Sequence, residues 1–323
     1  MLNIKDKRIL YELDINSRQS ASSLAKKVGI SKQGCTYKIR RLFEKGILKS
    51  AVVILNTPRM GRLSFRMYFK LIDISPEKED EFRLWLINHS LVPWLVGCEG
   101  VWDYILVVFP KDFEEFQYFS QELNHNWGDF IERKDIALVT EAHHFRAGYL
   151  FGEQVDLQSF VYGGQPKDLF NISDVDSKIL SLLSANARAD LVDIGKKLGF
   201  SAKNIAYHIR KLETANIIEG YTITVDYNKL GFERFKVFLR SKSMSKQKEA
   251  KFIEWARLNP YCLYWSKSIA TSDIELEFIV KNSIHLRAVI VEMRRLFGNL
   301  IKSYDVVKIL EEFKLNFIPW VKS

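Results

Sequence analysis

Apolar residues recur at helical spacing through the first 44 positions and predict three short helices. The first helix covers 4–15, and the second begins after Ser20 or Ser22 and ends at Gly29. Serine is a favoured N-cap, and glycine readily adopts the left-handed conformation that follows a helix C-terminus. A third helix is expected from Ser31 to about Glu44, with an inward face made of Cys35, Ile39 and Leu42.

Beyond position 62 the apolar pattern changes from helical to alternating, and the order of elements becomes β-α-β-β-α-β. This is the ferredoxin-like order, in which helices cover one face of the sheet. The other face is expected to be bare and rich in Phe, Tyr, Val and Leu, and therefore to pair with another such sheet. The predicted elements are helices at 77–88 and 113–123, and strands at 63–72, 92–98, 104–109 and 131–140.

The chain carries an internal repeat at a constant offset of 170 residues. Between positions 6 and 61 this offset gives 16 identities in 56 positions without a gap. The register continues further, since it aligns Trp85 with Trp255 and Asp103 with Asp273. A self-similarity of this length indicates a tandem duplication. In the second copy, the sheet-forming elements are expected at 235–240, 250–257, 262–265, 274–280, 285–297 and 303–310.

The predicted fold class is therefore α+β, with two winged helix-turn-helix domains (wHTH1 and wHTH2), each followed by a ferredoxin-like βαββαβ domain. Gly163, Gly164 and Pro166 lie between the copies and interrupt regular structure, so we expect a linker there. The predicted boundaries are 1–61 and 62–152 for the first copy, 153–171 for the linker, and 172–231 and 232–323 for the second copy.

The composition excludes several classes of protein. The 323 residues are 47% hydrophobic and 27% charged, close to the globular average, and no apolar run approaches the ~18–20 residues of a membrane helix. Cys35, Cys98 and Cys262 are scattered, which fits neither a disulfide framework nor a metal clip. We therefore expect a cytoplasmic protein with no membrane partner, no metal and no cofactor.

Positive charge is concentrated in the first 60 residues, whose 13 basic and 4 acidic side chains match the net charge of +9 of the whole chain. Two helices joined by a tight turn at Gly29, the second with a basic and amide-rich face, make a helix-turn-helix that places its second helix in the major groove of DNA. There arginine and lysine recognise guanine, glutamine recognises adenine, and flanking cations hold phosphates. The predicted DNA-binding residues are Ser31, Lys32, Gln33, Thr36, Tyr37, Lys38, Arg40, Arg41, Ser201, Lys203, Asn204, Tyr207, His208, Arg210 and Lys211.

The ordered series of motifs resembles the Lrp/AsnC family of transcriptional regulators. It includes the stretches 24–31, 39–42 and 46–48, and 217–226 resembles the linking strand of that family. The resemblance implies DNA-binding winged helices joined to RAM domains, which are ligand-sensing sheets that pair face to face; we call 62–152 RAM1 and 232–323 RAM2. It also implies a small effector, usually an amino acid, near a Gly-x-x-Asp turn, whose matching residues are Gly100, Trp102, Asp103 and, in the second copy, Asp273.

The two copies differ in charge, and we expect the difference to set their roles. Residues 61–170 hold 10 basic and 18 acidic side chains, whereas residues 232–323 hold 17 and 10. Opposite charges favour pairing of RAM1 with RAM2, within a chain or between chains, and self-association into a homo-oligomer. Because phosphate neutralisation dominates non-specific affinity, wHTH1 is expected to carry most of the DNA binding. Arg40→Ala should then weaken binding more than Arg210→Ala.

Two alternatives stand beside the regulator. Siroheme decarboxylases resemble the same arrangement, but the matching stretches 94–98 and 264–268 lack the histidine on which their activity depends. A DNA-compacting architectural protein would use the same residues as a regulator. Nucleophile-elbow, phosphate-loop, dinucleotide and zinc-protease motifs are missing from the sequence, and His143 and His144 are strand neighbours that point to opposite faces. The sequence therefore predicts no enzyme and no catalytic residue.

Overall fold

The computed structural model of the chain describes residues 2–154, 156, 158–242 and 244–321. Positions 155 and 157 of the predicted linker lie outside the described residues. The predicted α+β fold is confirmed, since each copy contains three helices and a strand followed by a βαββαβ unit. The two copies are thus two versions of one architecture.

The first copy opens with three helices whose ends match the predicted capping residues. The Oγ atoms of Ser20 and Ser31 accept hydrogen bonds from the backbone nitrogens three residues later, and Gly29 is left-handed with a φ of 69°. The elements of this copy are α1 (Ile4–Ile15), α2 (Ala21–Val28), α3 (Lys32–Glu44), β1 (Leu48–Leu55), β2 (Phe65–Leu71), α4 (Pro76–Asn88), β3 (Trp94–Gly100), β4 (Tyr104–Val108), α5 (Phe113–Trp127) and β5 (Ile131–His144).

The second copy repeats this order after a short strand, β6 (Phe160–Tyr162). Its helices cap in the same way, with the side chain of Ser201 accepting from Asn204 N and Gly199 left-handed at φ 76°. The elements are α6 (Asp174–Ala185), α7 (Leu191–Leu198), α8 (Ala202–Thr214), β7 (Ile218–Val225), β8 (Glu233–Ser241), α9 (Lys246–Leu258), β9 (Cys262–Ile269), β10 (Ile274–Val280), α10 (Ser283–Phe297) and β11 (Ile301–Leu315).

The strands of RAM1 and RAM2 close into one antiparallel ring in the order β2-β4-β3-β11-β8-β10-β9-β5, and β5 returns to β2. The two long strands make the closure. The first half of β5 pairs with β2 of its own copy and the second half with β9, while β11 pairs first with β8 and then with β3. Closure removes the free edges that would invite pairing with other chains.

The two winged helices form a second pair through strands β1 and β7, which run antiparallel as a two-stranded ribbon. The contacts around this ribbon are reciprocal. The Arg18 side chain donates to the backbone carbonyls of residues 187 and 189, and Arg188, at the 170-residue offset, donates to those of residues 17 and 19. Each strand also packs on the other copy, with β1 against α6 and β7 against α1.

The predicted linker is partly regular structure, because β6 pairs with the end of β5. Phe160 is buried there, and its ring lies 4.4 Å from the Arg146 guanidinium carbon. Gly220 on β7 leaves the space that this ring needs, since a Cβ at that position would lie 2.2 Å from it. The glycines and the proline in 163–166 follow the end of β6. They do not prevent Phe160, which precedes them, from being buried in the core.

The sheet face that was expected to be bare and apolar is instead the interior of the ring, and part of it is ionic. Phe238, Ile105 and Val307 are buried there as expected. Close by, however, Glu275, Glu277 and Lys236 are also at least 97% buried. The alternation of the strands was predicted correctly, but closure places both polar and apolar inward positions out of contact with water.

Candidate nucleic-acid interface and interior cavity

The recognition helix of wHTH1, α3, presents most of its predicted contact residues to solvent. Cys35 is fully buried, and burial raises the pKa of its thiol, so it is a core residue of the helix. Tyr37 is 53% exposed, and the Arg40 guanidinium carbon lies 5.9 Å from the centre of its ring. The Thr36 hydroxyl donates to the Lys32 carbonyl oxygen at 3.0 Å. The exposed predicted residues are Ser31, Lys32, Gln33, Thr36, Tyr37, Arg40 and Arg41.

The recognition helix of wHTH2, α8, repeats this geometry with different side chains. Its apolar face consists of Ile205, Ile209 and Leu212, which are buried against the rest of wHTH2. Tyr207 is 65% exposed and occupies the position of Tyr37 in the first copy. The exposed predicted residues are Ser201, Lys203, Asn204, Tyr207 and Arg210.

Three of the predicted DNA-binding side chains contact an acid on the first helix of their own domain. In wHTH1, Lys38 Nζ lies 2.7 Å from Asp6 Oδ1. In wHTH2, His208 Nδ1 lies 2.7 Å and Lys211 Nζ 3.1 Å from the carboxylate of Asp176. Burial opposes ionisation of Asp176, but hydrogen bonds from these partners and from Ser173 outweigh it and lower its pKa. These contacts lock each recognition helix onto the first helix of its domain.

The predicted effector residues hold turns of the RAM domains. Asp103 accepts from Lys70 Nζ at 2.7 Å and from Leu71 N at 2.8 Å, and Asp273 accepts from Ser241 N at 2.6 Å. The two aspartates thus tie the same turn to the same neighbouring strand in each copy. Their role in effector binding stays a prediction.

Gly100 and Trp102, the other two predicted effector residues, are packed against protein. Gly100 has a φ of 133°, and a Cβ there would lie 2.9 Å from the Val306 carbonyl oxygen, so glycine permits the close approach of β11. Trp102 is 6% exposed, and the Arg133 guanidinium carbon lies 4.2 Å from its ring centre.

A cavity of about 120 Å³ lies between the paired winged helices and the interior of the closed sheet. All four domains line it: Asp14 of wHTH1, Thr222 of wHTH2, Arg66 of RAM1 and Trp265 of RAM2 are among the wall residues. Trp94 also lines the cavity, whereas Trp102 does not.

Buried ion pairs lie along one wall of the cavity, to which Arg66, Lys236, Arg234, Glu277 and Glu312 contribute, while Glu275 pairs with two of these cations without lining the cavity itself. Glu275 Oε2 lies 2.5 Å from Arg66 Nη1 and 3.1 Å from Lys236 Nζ. Arg234 Nε lies 2.6 Å from Glu277 Oε1, and Arg234 Nη1 lies 2.8 Å from Glu312 Oε2. Burial alone would raise the pKa of Glu275, but the charges of Arg66 and Lys236 outweigh it and hold that pKa below its usual value.

The repeat itself contains a signal for these residues. At the 170-residue offset, Glu275 and Glu277 stand where the first copy has Ile105 and Val107. Where one copy has an apolar residue and the other has an acid, the equivalent positions are both expected to be buried, but the side chains differ in charge. Comparing the copies position by position along the strands would have found this wall.

His144 also lines the cavity and is 5% exposed. Burial, with the nearby charges of Arg146 and Arg234, lowers its pKa to about 3, so the ring is neutral near pH 7. The ring stacks on Tyr264 with centres 4.3 Å apart. Its neighbour His143 instead contacts Glu141 at 2.7 Å, so the two histidines diverge as predicted for strand neighbours.

Within the part of the chain that the structure describes, no group of three or more histidine, cysteine or acidic side chains is arranged to hold a metal ion. Among the same residues, no helix combines the length and the apolar character that crossing a membrane requires.

Comparison with known proteins matches both DNA-reading units. The winged helix-turn-helix DNA-binding family matches residues 2–49 and 172–219. An HTH-type transcriptional regulator of Pyrococcus furiosus is 44% identical over 62 residues, which are 19% of this chain and 42% of that protein. The transcriptional regulator AzlB of Bacillus subtilis is 30% identical over 122 residues, which are 37% of this chain and 76% of AzlB.

The solved structure of the siroheme decarboxylase NirDL matches nearly the whole chain, with a TM-score of 0.63 over 98% of this chain and 94% of that one, at 13% identity. The tandem architecture therefore occurs in an enzyme. The prediction that this chain is not an enzyme is wrong as an inference from its sequence, because it rested on motifs of other folds and on one local histidine pattern.

Proposed function

Because the chain belongs to the Lrp/AsnC family of HTH-type transcriptional regulators, we propose that it regulates transcription by binding double-stranded DNA through α3 and α8. The observation that carries the proposal is the reciprocal pairing of the two winged helices across β1 and β7. This pairing holds two exposed recognition helices in a fixed relation, which is the geometry that reads two half-sites. Such a regulator would act in the cytoplasm.

The two recognition helices differ, so we propose that the half-sites differ too. Two identical chains favour a palindromic operator, because protein symmetry is matched by DNA symmetry. Here α3 offers Lys32, Gln33 and Arg40, whereas α8 offers Lys203, Asn204 and Arg210. Gln33 and Asn204 are the amide side chains suited to adenine, and the arginines are suited to guanine. The preferred operator would contain two unlike half-sites.

The proposal includes regulation by a small effector such as an amino acid, acting at the Gly100–Asp103 turn of RAM1 and at Asp273 of RAM2. It also includes self-association of the chain into a larger assembly. The support for both is the family membership, and in the case of the effector the accessible groove that Asp103 lines together with Lys70 and Glu311.

The test is a DNA titration of the purified chain, monitored by fluorescence anisotropy, after sites have been selected from a random duplex pool. Arg40→Ala should weaken binding about tenfold, and Arg210→Ala less, because wHTH1 carries the larger positive charge. Arg287→Ala is the control, since Arg287 is an exposed arginine of α10 outside both recognition helices. Equal affinities for all four proteins would contradict the proposal.

A second candidate function is an enzymatic reaction on a tetrapyrrole. NirDL is a siroheme decarboxylase that was also solved with an iron-uroporphyrin III analogue, and this chain places buried arginines and His144 around its interior cavity. At about 120 Å³ the cavity would have to open to admit a macrocycle. Adding siroheme tests the candidate: a shifted absorption spectrum followed by loss of carboxyl groups supports it, and an unchanged spectrum rejects it.

A further inference from the structure

The interior cavity is separate from the turns at Asp103 and Asp273 that the resemblance associates with an effector. Neither aspartate belongs to its wall, which is built from the inward faces of the RAM strands and from the winged-helix pair. The cavity therefore needs its own explanation.

The size of the cavity restricts what it can hold. A water molecule needs about 10–15 Å³ of such space, and an apolar cavity of about 150 Å³ accepts benzene. A cavity of about 120 Å³ is close to that size, so a single six-membered ring is the size class that fits it.

The charged groups of the wall already have partners. The lining cations Arg66 and Lys236 pair with Glu275, which is not a lining residue, and Arg234 pairs with Glu277 and Glu312. The third lining carboxylate, that of Asp14, accepts hydrogen bonds from Thr222 Oγ1 and Ala147 N. A ligand with a net charge would compete with these pairs and would have to lose its hydration without a free counter-charge. An uncharged ligand avoids this penalty.

The rest of the wall combines aromatic and aliphatic side chains. Trp94, Phe109 and Tyr264 line it, together with aliphatic residues of β1 and β4. The Trp94 ring is anchored by its Nε1, which donates to Glu312 Oε2 at 2.9 Å. Flat apolar walls of this kind favour a planar ring, because aromatic pairs gain from edge-to-face and offset contacts.

One polar atom on the wall lacks a partner. Nδ1 of His144 is buried without a hydrogen bond among the residues that the structure describes. Buried polar atoms are normally satisfied, and an exception needs a ligand, a water molecule or a strained fold to account for it. A hydroxyl group can both donate and accept, so it would satisfy either tautomer of the neutral His144 ring.

We propose that the interior cavity is a binding site for an uncharged single-ring aromatic molecule that carries one hydroxyl-type hydrogen-bonding group. The ring lies between the aromatic walls, and the polar group bonds to His144. This site is distinct from the Gly-x-x-Asp turns, and its ligand class differs from an amino acid, which carries two charges.

The position of the cavity gives such a ligand access to the DNA-reading half of the molecule. Asp14 of α1 lies in the wall, and its carboxylate accepts from Thr222 Oγ1 at 2.9 Å and from Ala147 N at 3.0 Å, so it joins wHTH1, wHTH2 and the end of RAM1. A ligand in contact with this junction would change DNA affinity. That consequence, unlike the binding site itself, depends on the proposed DNA-binding function.

The binding test uses the full chain without DNA and four probes of similar size: 4-methylphenol, toluene, benzoate and benzylammonium. Calorimetry, supported by tryptophan fluorescence because the Trp94 ring lines the cavity, should give saturable binding of 4-methylphenol. Toluene should bind about fivefold more weakly, since it lacks the hydrogen bond. The two charged probes should bind more weakly still.

Variants place the site. His144→Phe should remove the preference for 4-methylphenol over toluene, whereas His143→Phe, the control one residue away on the opposite face, should keep it. Ala142→Phe should fill the cavity and abolish binding of both neutral probes. Three results would each overturn the proposal. They are unchanged binding of the neutral probes by Ala142→Phe, an unchanged preference for 4-methylphenol over toluene in His144→Phe, and tighter binding of a charged probe than of 4-methylphenol. Effects on DNA affinity are measured separately, so failure of DNA binding would leave this result intact.

Discussion

RAM1 and RAM2 share one fold and one closed sheet, but among the described residues the buried carboxylates of its interior come from RAM2. Glu275, Glu277 and Glu312 of RAM2 correspond to Ile105, Val107 and Ala142 of RAM1 at the 170-residue offset. All six positions are buried or half-buried. The same inward strand positions therefore accept either apolar packing or ion pairs.

The difference shows how a duplicated chain can specialise. In a pair of identical chains, each buried acid would occur twice around the ring and would need two sets of cations. Here RAM1 supplies Arg66 as the partner of Glu275, and RAM2 supplies Lys236 and Arg234. The asymmetric wall is possible because the two halves of the chain have different sequences.

The largest expected effect comes from removing the central acid. Glu275→Ala should lower the free energy of unfolding by about 3–5 kcal/mol at pH 7, because it leaves Arg66 and Lys236 buried without their shared counter-charge. Urea unfolding followed by circular dichroism measures this. At the equivalent position of RAM1, Ile105→Val should lower it by about 0.5–1.5 kcal/mol. Equal losses at the two positions would mean that the ion pairs add nothing to packing.

The winged-helix pair should behave in the opposite way, because its contacts are symmetric. Arg18→Ala and Arg188→Ala each remove charge-assisted hydrogen bonds to two carbonyl oxygens of the other copy. Each should lower the free energy of unfolding by about 1.5–3 kcal/mol. The loss at Arg18 should be larger by up to about 1 kcal/mol, because its guanidinium also lies 5.4 Å from the ring centre of Tyr221. A larger difference between them, measured by the same urea titration, would show that the copies have diverged here too.

The smallest effect compares two bases at equivalent positions, the buried His144 of RAM1 and the half-buried Lys314 of RAM2. The pKa of His144 is lowered to about 3, so the unfolded chain binds a proton at that group below about pH 6.5 and the folded chain does not. Stability should therefore fall as the pH drops from 6.5, by at most about 1.4 kcal/mol per pH unit from this group. Urea midpoints between pH 6.5 and 5 measure the slope.

His144→Phe should reduce that slope. Lys314→Met should not change it, because burial lowers the pKa of Lys314 only to about 8 and its own contribution lies between about pH 8 and 10.5. A slope that is unaffected by His144→Phe would place the proton uptake elsewhere.

Most of the fold was predictable because it depends on local signals that occur twice. The serine caps at Ser20 and Ser31, the left-handed Gly29 and the inward faces of the helices all follow from nearest neighbours along the chain. The exposed face of α3 was predictable for the same reason.

The interior could not be predicted from such signals. Glu275 and Glu277 alternate with apolar residues along β10, which is the usual pattern of a strand with one wet face. Their burial results from ring closure by β5 and β11, which is a long-range event. The ion pairs of Lys38 with Asp6 and of His208 with Asp176 were missed because their partners lie 32 residues away.

The exchange of β5 and β11 between the halves also has a consequence for dilution. Two separate subunits pair only when enough of both is present, whereas tethered halves meet at an effective concentration set by the connecting segment, on the order of millimolar for short connections. A cell with a handful of these molecules would still have every one of them paired. A low protein concentration, which dissociates a dimer of separate subunits, would leave the two halves of this chain paired.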